Sequence, residues 1–184
     1  MKPLIILFSG KAGHGKDSAA IMMRDRLLNR GYNVRILHYA DTLKFIARTY
    51  YDWDGEKDEN GRTLLQTLGT EYVRAKNPDF WICMLDQIID MFFSDYDYIL
   101  IPDARFPNEI EYWVERDQLA DAIRVIRPKI DGQASLELNN EQKKHASETA
   151  LDSYNFRTII TANNLTELAE EIDRIIKDYP EVSK

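Results

Sequence analysis

Cysteine is almost missing from this chain of 184 residues: Cys83 is the one residue of its kind. A single thiol excludes an internal disulfide framework and suits a reducing compartment. Long hydrophobic runs are missing too. The apolar stretch Leu4-Ile5-Ile6-Leu7-Phe8 stops at Ser9-Gly10-Lys11. It is too short for a signal-peptide core, or for the roughly 20 residues of a spanning helix. The expectation is a cytoplasmic protein with no membrane partner. Basic residues are outnumbered, 24 against 31 acidic, for a net charge of −7. Binding a nucleic-acid duplex calls for a broad basic face, so no nucleic-acid partner is expected. Glycine is scarce, with 8 residues, yet Gly10, Gly13 and Gly15 crowd together.

What is present is an ordinary globular composition, 44% hydrophobic and 30% charged, at a length that suits one domain over residues 1–184. The charge is uneven. Basic side chains dominate the first 50 residues although the whole chain is acidic, which points to a local anion site. Arg24, Arg26 and Arg30 read as the solvated face of a helix and stay outside that site.

Leu4–Phe8 reads as a strand buried on both faces. A helix is expected from Lys16 to Arg30, stopped by Gly31, and a second strand over Val34–Tyr39. Helical stretches follow at about Asp41–Tyr51, Arg62–Lys76 and Asp79–Phe93, the first two separated by an acidic loop. Tyr98–Ile101 is the third strand, ended by Pro102, and Pro107 opens a helix running to Arg116. Ala122–Ile126 and Thr158–Thr161 complete five strands. The final helix, from Leu165 to about Asp178, carries capping-box spacing in Asn164 and Glu167. Lys129–Lys144 is polar and without pattern, as in a mobile loop or lid. Strands alternating with helices predict an α/β three-layer sandwich around a mainly parallel five-stranded sheet.

Gly10-Lys11-Ala12-Gly13-His14-Gly15-Lys16 fits the first seven positions of the motif G-x-x-x-x-G-K-[ST], between a buried strand and a helix. Glycine is needed there so that backbone N–H groups can curl around phosphate oxygens. The helix N-terminus adds positive potential, and Lys16 is placed to reach the β- and γ-phosphates. The eighth position holds Asp17, with Ser18 next, where a hydroxyl normally ligates Mg²⁺. A carboxylate suits that hard cation directly or through water. The expected cofactors are therefore ATP and Mg²⁺.

No N-K-x-D guanine-reading motif is present, and Asp58-Glu59-Asn60-Gly61 follows no strand, which argues against a GTPase. Polar residues at the other strand ends suit a small-molecule kinase. Asp103 ends the third strand, where a carboxylate holds Mg²⁺ or its water. Arg105 is placed to grip a phosphate bidentately; the bland alternative is a surface salt bridge to Glu109. Kinases of other small phosphorylated or acidic metabolites, and a regulatory nucleotide-binding ATPase, stay open on these grounds.

Several blocks together resemble the bacteriophage-type deoxynucleoside monophosphate kinases of the P-loop kinase fold. They are Gly10–Ser18; Ala40-Asp41-Thr42-Leu43-Lys44; Leu65–Glu71 with Arg74 and Trp81; Asp103-Ala104-Arg105-Phe106-Pro107-Asn108-Glu109; Arg127-Pro128; and His145-Ala146-Ser147-Glu148. The resemblance implies Mg²⁺-dependent transfer of the ATP γ-phosphate to a 2′-deoxynucleoside 5′-monophosphate. It implies that Gly10, Lys11, Ala12, Gly13, His14, Gly15, Lys16, Asp17, Ser18 and Arg127 face ATP. Asp41, Lys44, Arg74, Trp81, Arg105 and Glu148 would face the acceptor, with Trp81 either stacking on the base or serving as core. Lys16, Asp17, Asp103 and Arg105 become the catalytic candidates, and Asp17, Ser18 and Asp103 the metal candidates. It further implies an acceptor-binding helical region over about 41–94, a lid over about 129–148 and, by analogy, a homodimer. A viral member would work in the host cytoplasm.

Overall fold

The computed structural model describes residues 2–115, 120–128 and 140–179. Its centre is one sheet of five parallel strands in the order β2-β3-β1-β4-β5: β1 Leu4–Ser9, β2 Val34–Ile36, β3 Tyr98–Ile101, β4 Ala120–Ile126 and β5 Thr158–Thr161. Every residue of β1 is buried. Its alternating side chains therefore feed two cores, which is what a parallel sheet covered on both faces requires. Leu4, Ile6 and Phe8 join α1 (Lys16–Asn29) and α8 (Leu165–Ile176), through Met23, Leu27, Leu168 and Ile172. Ile5 and Leu7 join α4 (Phe80–Phe92) and α5 (Pro107–Glu115), through Ile82, Leu85, Ile110 and Trp113. The predicted three-layer α/β sandwich is the observed architecture. Among the described residues no helix is long and apolar enough to cross a membrane.

The chain leaves β1 toward β2 on one side and later crosses to β4 on the other. The loop after β1 thus sits at the point where connections diverge, the position at which open α/β sheets bind ligands.

Three local expectations change. β2 ends at Ile36 instead of Tyr39. Leu37 N–H still reaches the Leu100 carbonyl, but the amides of Tyr39 and Ala40 turn to the Asp103 carboxylate and open α2 (Ala40–Tyr50). The helix expected over Arg62–Lys76 begins earlier, as α3 (Glu59–Gln66), capped by Asp58 accepting Gly61 N–H at 2.7 Å. From Thr67 to Arg74 it widens into a π-helix, and the Ala75 amide reaches back to the Thr70 carbonyl. Finally, residues 129–139 of the expected lid lie outside the described residues, while its end is ordered into α6 (Asn140–Lys144), followed by α7 (Ala146–Thr149). Gln142 explains why: its buried amide donates to the Glu59 carbonyl and Thr63 Oγ1, docking α6 on α3. The capping box at α8 forms as expected, with Glu167 N–H on Asn164 Oδ1 at 2.9 Å.

Candidate active site

A cleft of about 490 Å³ opens at the C-terminal edge of the sheet, between the loop after β1, α2, α3 with its π-helical extension, the β3–α5 turn and α7. It brings together Ala12, Gly13, Lys16, Asp17, Lys44, Arg74, Trp81, Asp103, Arg105 and Glu148 from the sequence-derived candidates. A second cavity, about 500 Å³, lies at the opposite end of the sheet beside Asp121, Arg157 and Tyr179. It touches none of the candidate residues.

The loop's shape explains its glycines at two positions. Gly10 has φ +156°, and a Cβ there would stand 2.5 Å from the Val125 carbonyl oxygen, so β4 can approach only a glycine. Gly15 adopts the left-handed region at φ 90° as it hands the chain to α1. Lys16, the first residue of α1, is 6% exposed. Its ammonium donates to the carbonyls of Gly10 at 2.8 Å and Lys11 at 3.0 Å. Burial, and then the nearby Arg105 cation, push its pKa down to about 7. A group so poised gains most from an anion that restores its charge.

Lys11 behaves differently. Its ammonium bonds the Glu148 carbonyl at 2.7 Å and Asp152 Oδ2 at 2.5 Å, tying the loop to the segment around α7. His14 Nδ1 lies 3.3 Å from the Val125 carbonyl and 3.4 Å from the Arg127 amide, and burial lowers its pKa. Arg127 sits with it on the outer side of the loop, its Nε donating to the Asn163 carbonyl. Gly10, Lys11, His14, Gly15, Ser18, Arg127 and the acceptor candidate Asp41 do not line the cleft.

Asp17 projects from the first turn of α1 and is largely exposed; its Oδ1 lies 3.5 Å from His38 Nε2. His38 Nδ1 faces Asp41 Oδ2 at 3.4 Å, and Asp41 also holds Lys44 at 3.3 Å. The hydrogen bond between Asp17 and His38 lowers the carboxylate's pKa and raises the imidazole's. Asp103 accepts Tyr39 N–H at 3.1 Å and Ala40 N–H at 3.0 Å, one on each oxygen, so it caps α2. Each of those oxygens keeps a further lone pair. Asp17 and Asp103 line the cleft as two separate carboxylates, Ser18 lies outside its lining, and no cluster of three or more His, Cys, Asp or Glu that could hold a metal ion is found among the described residues. Two carboxylates fit Mg²⁺, which takes one or two of them plus water and substrate phosphates.

The two cleft arginines are paired, and the Arg105 side chain bridges to Glu148 instead of to Glu109, the partner its bland alternative named. Arg105 Nη1 bonds Glu148 Oε1 at 2.5 Å and the Ser147 carbonyl at 3.3 Å. Arg74, closing the π-helix, pairs with buried Glu109, donates to the Pro78 carbonyl, and stacks with its guanidinium carbon 4.1 Å from the Phe106 ring centroid. Trp81 is 4% exposed, and its indole N–H donates to the Gly69 carbonyl at 3.0 Å. It is a core residue with an edge in the cleft wall. His38, Lys57, Arg62 and Glu109 also line the cleft, and motif reading gave them no role there. His38 had no signal, because the expected strand ran on through it to Tyr39. Glu109 had none beyond its block.

A family model described as deoxynucleotide monophosphate kinase matches residues 42–172 of this chain. That is well over half of its length. The chain belongs to the deoxynucleotide monophosphate kinase family. The match begins beyond the glycine-rich loop, so the loop and the family match are independent observations. A deoxynucleotide monophosphate kinase of Enterobacteria phage T4 is 32% identical over 120 residues, spanning 63% of this chain and 45% of the relative. The chain thus matches somewhat under half the length of that relative. Among solved structures, Mycobacterium tuberculosis APS kinase CysC, in complex with AMPPNP and APS, superposes with a TM-score of 0.54 at 15% identity. That match covers 96% of this chain and 99% of the other. TT1252 from Thermus thermophilus gives 0.53 at 15% identity, over 96% and 97%. Likeness at this identity concerns the fold.

Proposed function

We propose that this family member transfers the γ-phosphate of ATP to a 2′-deoxynucleoside 5′-monophosphate, yielding ADP and the deoxynucleoside diphosphate. The observation that carries the reading is one cleft in which the loop lysine, Lys16, meets a separate set of cations, Lys44, Arg74 and Arg105. One set suits donor phosphates and the other an acceptor phosphate, as an in-line transfer between two anions requires.

In this reading the backbone of Gly10–Ser18 and the N-terminus of α1 hold the ATP phosphates, and Lys16 neutralises charge on the γ-phosphoryl group. An oxygen of the acceptor phosphate attacks γ-phosphorus as the bond to the β,γ-bridging oxygen breaks. The acceptor oxygen is already anionic, so no strong general base is needed. Arg105 and Arg74 orient it. Asp17 and Asp103, the metal candidates that line the cleft, would hold Mg²⁺, which supplies charge neutralisation and alignment of the phosphates. Such an enzyme works in the cytoplasm, where Cys83 stays reduced.

The test is a coupled assay with ATP, Mg²⁺ and a panel of deoxynucleoside monophosphates, ribonucleoside monophosphates and small acids. Turnover that depends on a deoxynucleoside monophosphate is expected. ATP hydrolysis indifferent to every monophosphate would instead indicate a regulatory ATPase. Turnover with a small acid alone would indicate a different metabolite kinase.

A further inference from the structure

We infer that Glu109 is the positioning residue of the acceptor side, setting Arg74 and the Arg105 backbone in one wall of the cleft; the inference rests on the function proposed above. Glu109 lies in the first turn of α5 and is 2% exposed. Its carboxylate is shared between two elements distant in sequence. Oε2 accepts the backbone N–H of Arg105 at 2.5 Å and of Phe106 at 3.0 Å, while Oε1 accepts the Arg74 guanidinium. Its own carbonyl is held as well, by the Tyr39 hydroxyl at 3.0 Å, which in turn accepts the Trp113 indole N–H at 2.7 Å. Glu109 therefore has no freedom to drift, and passes that rigidity to both arginines.

Arg74 is fixed in plane as well as in place. Phe106 lies 4.1 Å from its guanidinium carbon, and Nη1 donates to the Pro78 carbonyl at 3.0 Å. Those bonds leave other donors of the guanidinium for the cleft that Arg74 lines.

A capping role alone does not account for this residue. A neutral amide oxygen would serve the two backbone N–H groups equally well, and burying a carboxylate is costly. Here burial pushes the carboxyl up to about 7 despite the pull of Arg74 and both amides. Only Arg74 requires the charge. The carboxylate converts a flexible side chain on the π-helix into a fixed phosphate-facing group, which is where transfer between two phosphates gains rate.

Glu109→Gln keeps the shape and the backbone bonds and removes the charge. With ATP and a deoxynucleoside monophosphate, it is expected to raise the acceptor KM by about ten- to a hundredfold. The ATP KM should stay within about twofold of wild type. Adding Glu109→Gln to Arg74→Met should change the acceptor KM little, because the group through which Glu109 acts is already gone. Should the single variant be too unstable to assay, Arg74→Met alone tests the group through which Glu109 acts: its acceptor KM must rise, and an unchanged value would overturn the inference. An unchanged acceptor KM in Glu109→Gln, equal rises in both KM values, or full additivity with Arg74→Met would each overturn the inference alone. A wild-type protein inert with every deoxynucleoside monophosphate would overturn the functional reading first, and the inference with it.

Discussion

Arg105 Nη1 meets Glu148 Oε1 at 2.5 Å, while the other oxygen of the same carboxylate accepts the Ala12 backbone N–H at 3.4 Å. One acid on α7 thereby joins Arg105, the arginine we propose grips the acceptor phosphate, to the glycine-rich loop. The planar fork of Arg105 suits a phosphate better than a point charge does. Arg105→Ala is expected to raise the acceptor KM by about tenfold or more, and Arg105→Lys by less. Steady-state kinetics with each substrate varied in turn checks this, and equal kinetics for wild type and Arg105→Ala would remove Arg105 from the site.

Lys16 is held by two loop carbonyls and depressed by burial to about 7. The arrangement keeps a cation's worth of hydrogen-bond donors aimed inside the loop. Lys16→Ala should lower kcat by about a hundredfold or more, the scale on which an electrostatic stabiliser of the transition state acts. The fold should persist, because the sheet and both cores do not depend on this side chain. Circular dichroism beside the assay separates the two. Near-normal turnover would sink the assignment.

Much of this architecture is legible locally. The continuous apolar run Leu4–Phe8, the glycine spacing and the lysine opening α1 sit side by side in the chain, so strand, loop and helix can be read together. What escapes reading depends on partners far away. β2 stops early because Asp103, more than 60 residues on, captures the amides of Tyr39 and Ala40. The tail of the expected lid is helical because Gln142 finds α3. The site shows the same division. Lys16 and Arg105 announce themselves by motif. The pairing of Arg74 with Glu109 spans 35 residues, and no periodicity encodes it.

Two glycines in the site region should respond unequally to alanine. At Gly10 a Cβ would meet the Val125 carbonyl oxygen at 2.5 Å, at a backbone angle that disfavours side chains, and the obstacle is main chain. Gly10→Ala is expected to destabilise by about 2 kcal/mol or more and to weaken ATP binding. At Gly69 the nearest atom is Leu43 Cδ2 at 2.9 Å, the movable end of a side chain. Gly69→Ala should cost less than about 1 kcal/mol, but Leu43 lines the cleft, so acceptor affinity should shift. Urea unfolding and acceptor KM, measured on both variants, check the contrast. Equal losses of stability would contradict it.

The buried Glu109 also makes stability depend on pH in a predictable direction. Its folded pKa is pushed by burial from 4.5 to about 7. Between those values the folded chain binds the proton that the unfolded chain has released. The contribution is therefore fully present below about 4.5 and is lost as pH rises through about 7. Its size is about 3 kcal/mol, from the shift and the free energy per pKa unit. His38, raised by its hydrogen bond to Asp17, and His14, lowered by burial, add pH dependence of their own, so the comparison must be made against Glu109→Gln, which shares them. Urea unfolding of both proteins at about pH 5 and about pH 8 isolates the carboxyl. Wild type should lose more stability than Glu109→Gln between the two conditions. Parallel losses would show that Glu109 keeps its proton equilibrium on unfolding, and that Arg74 and the two backbone amides offset its burial in full.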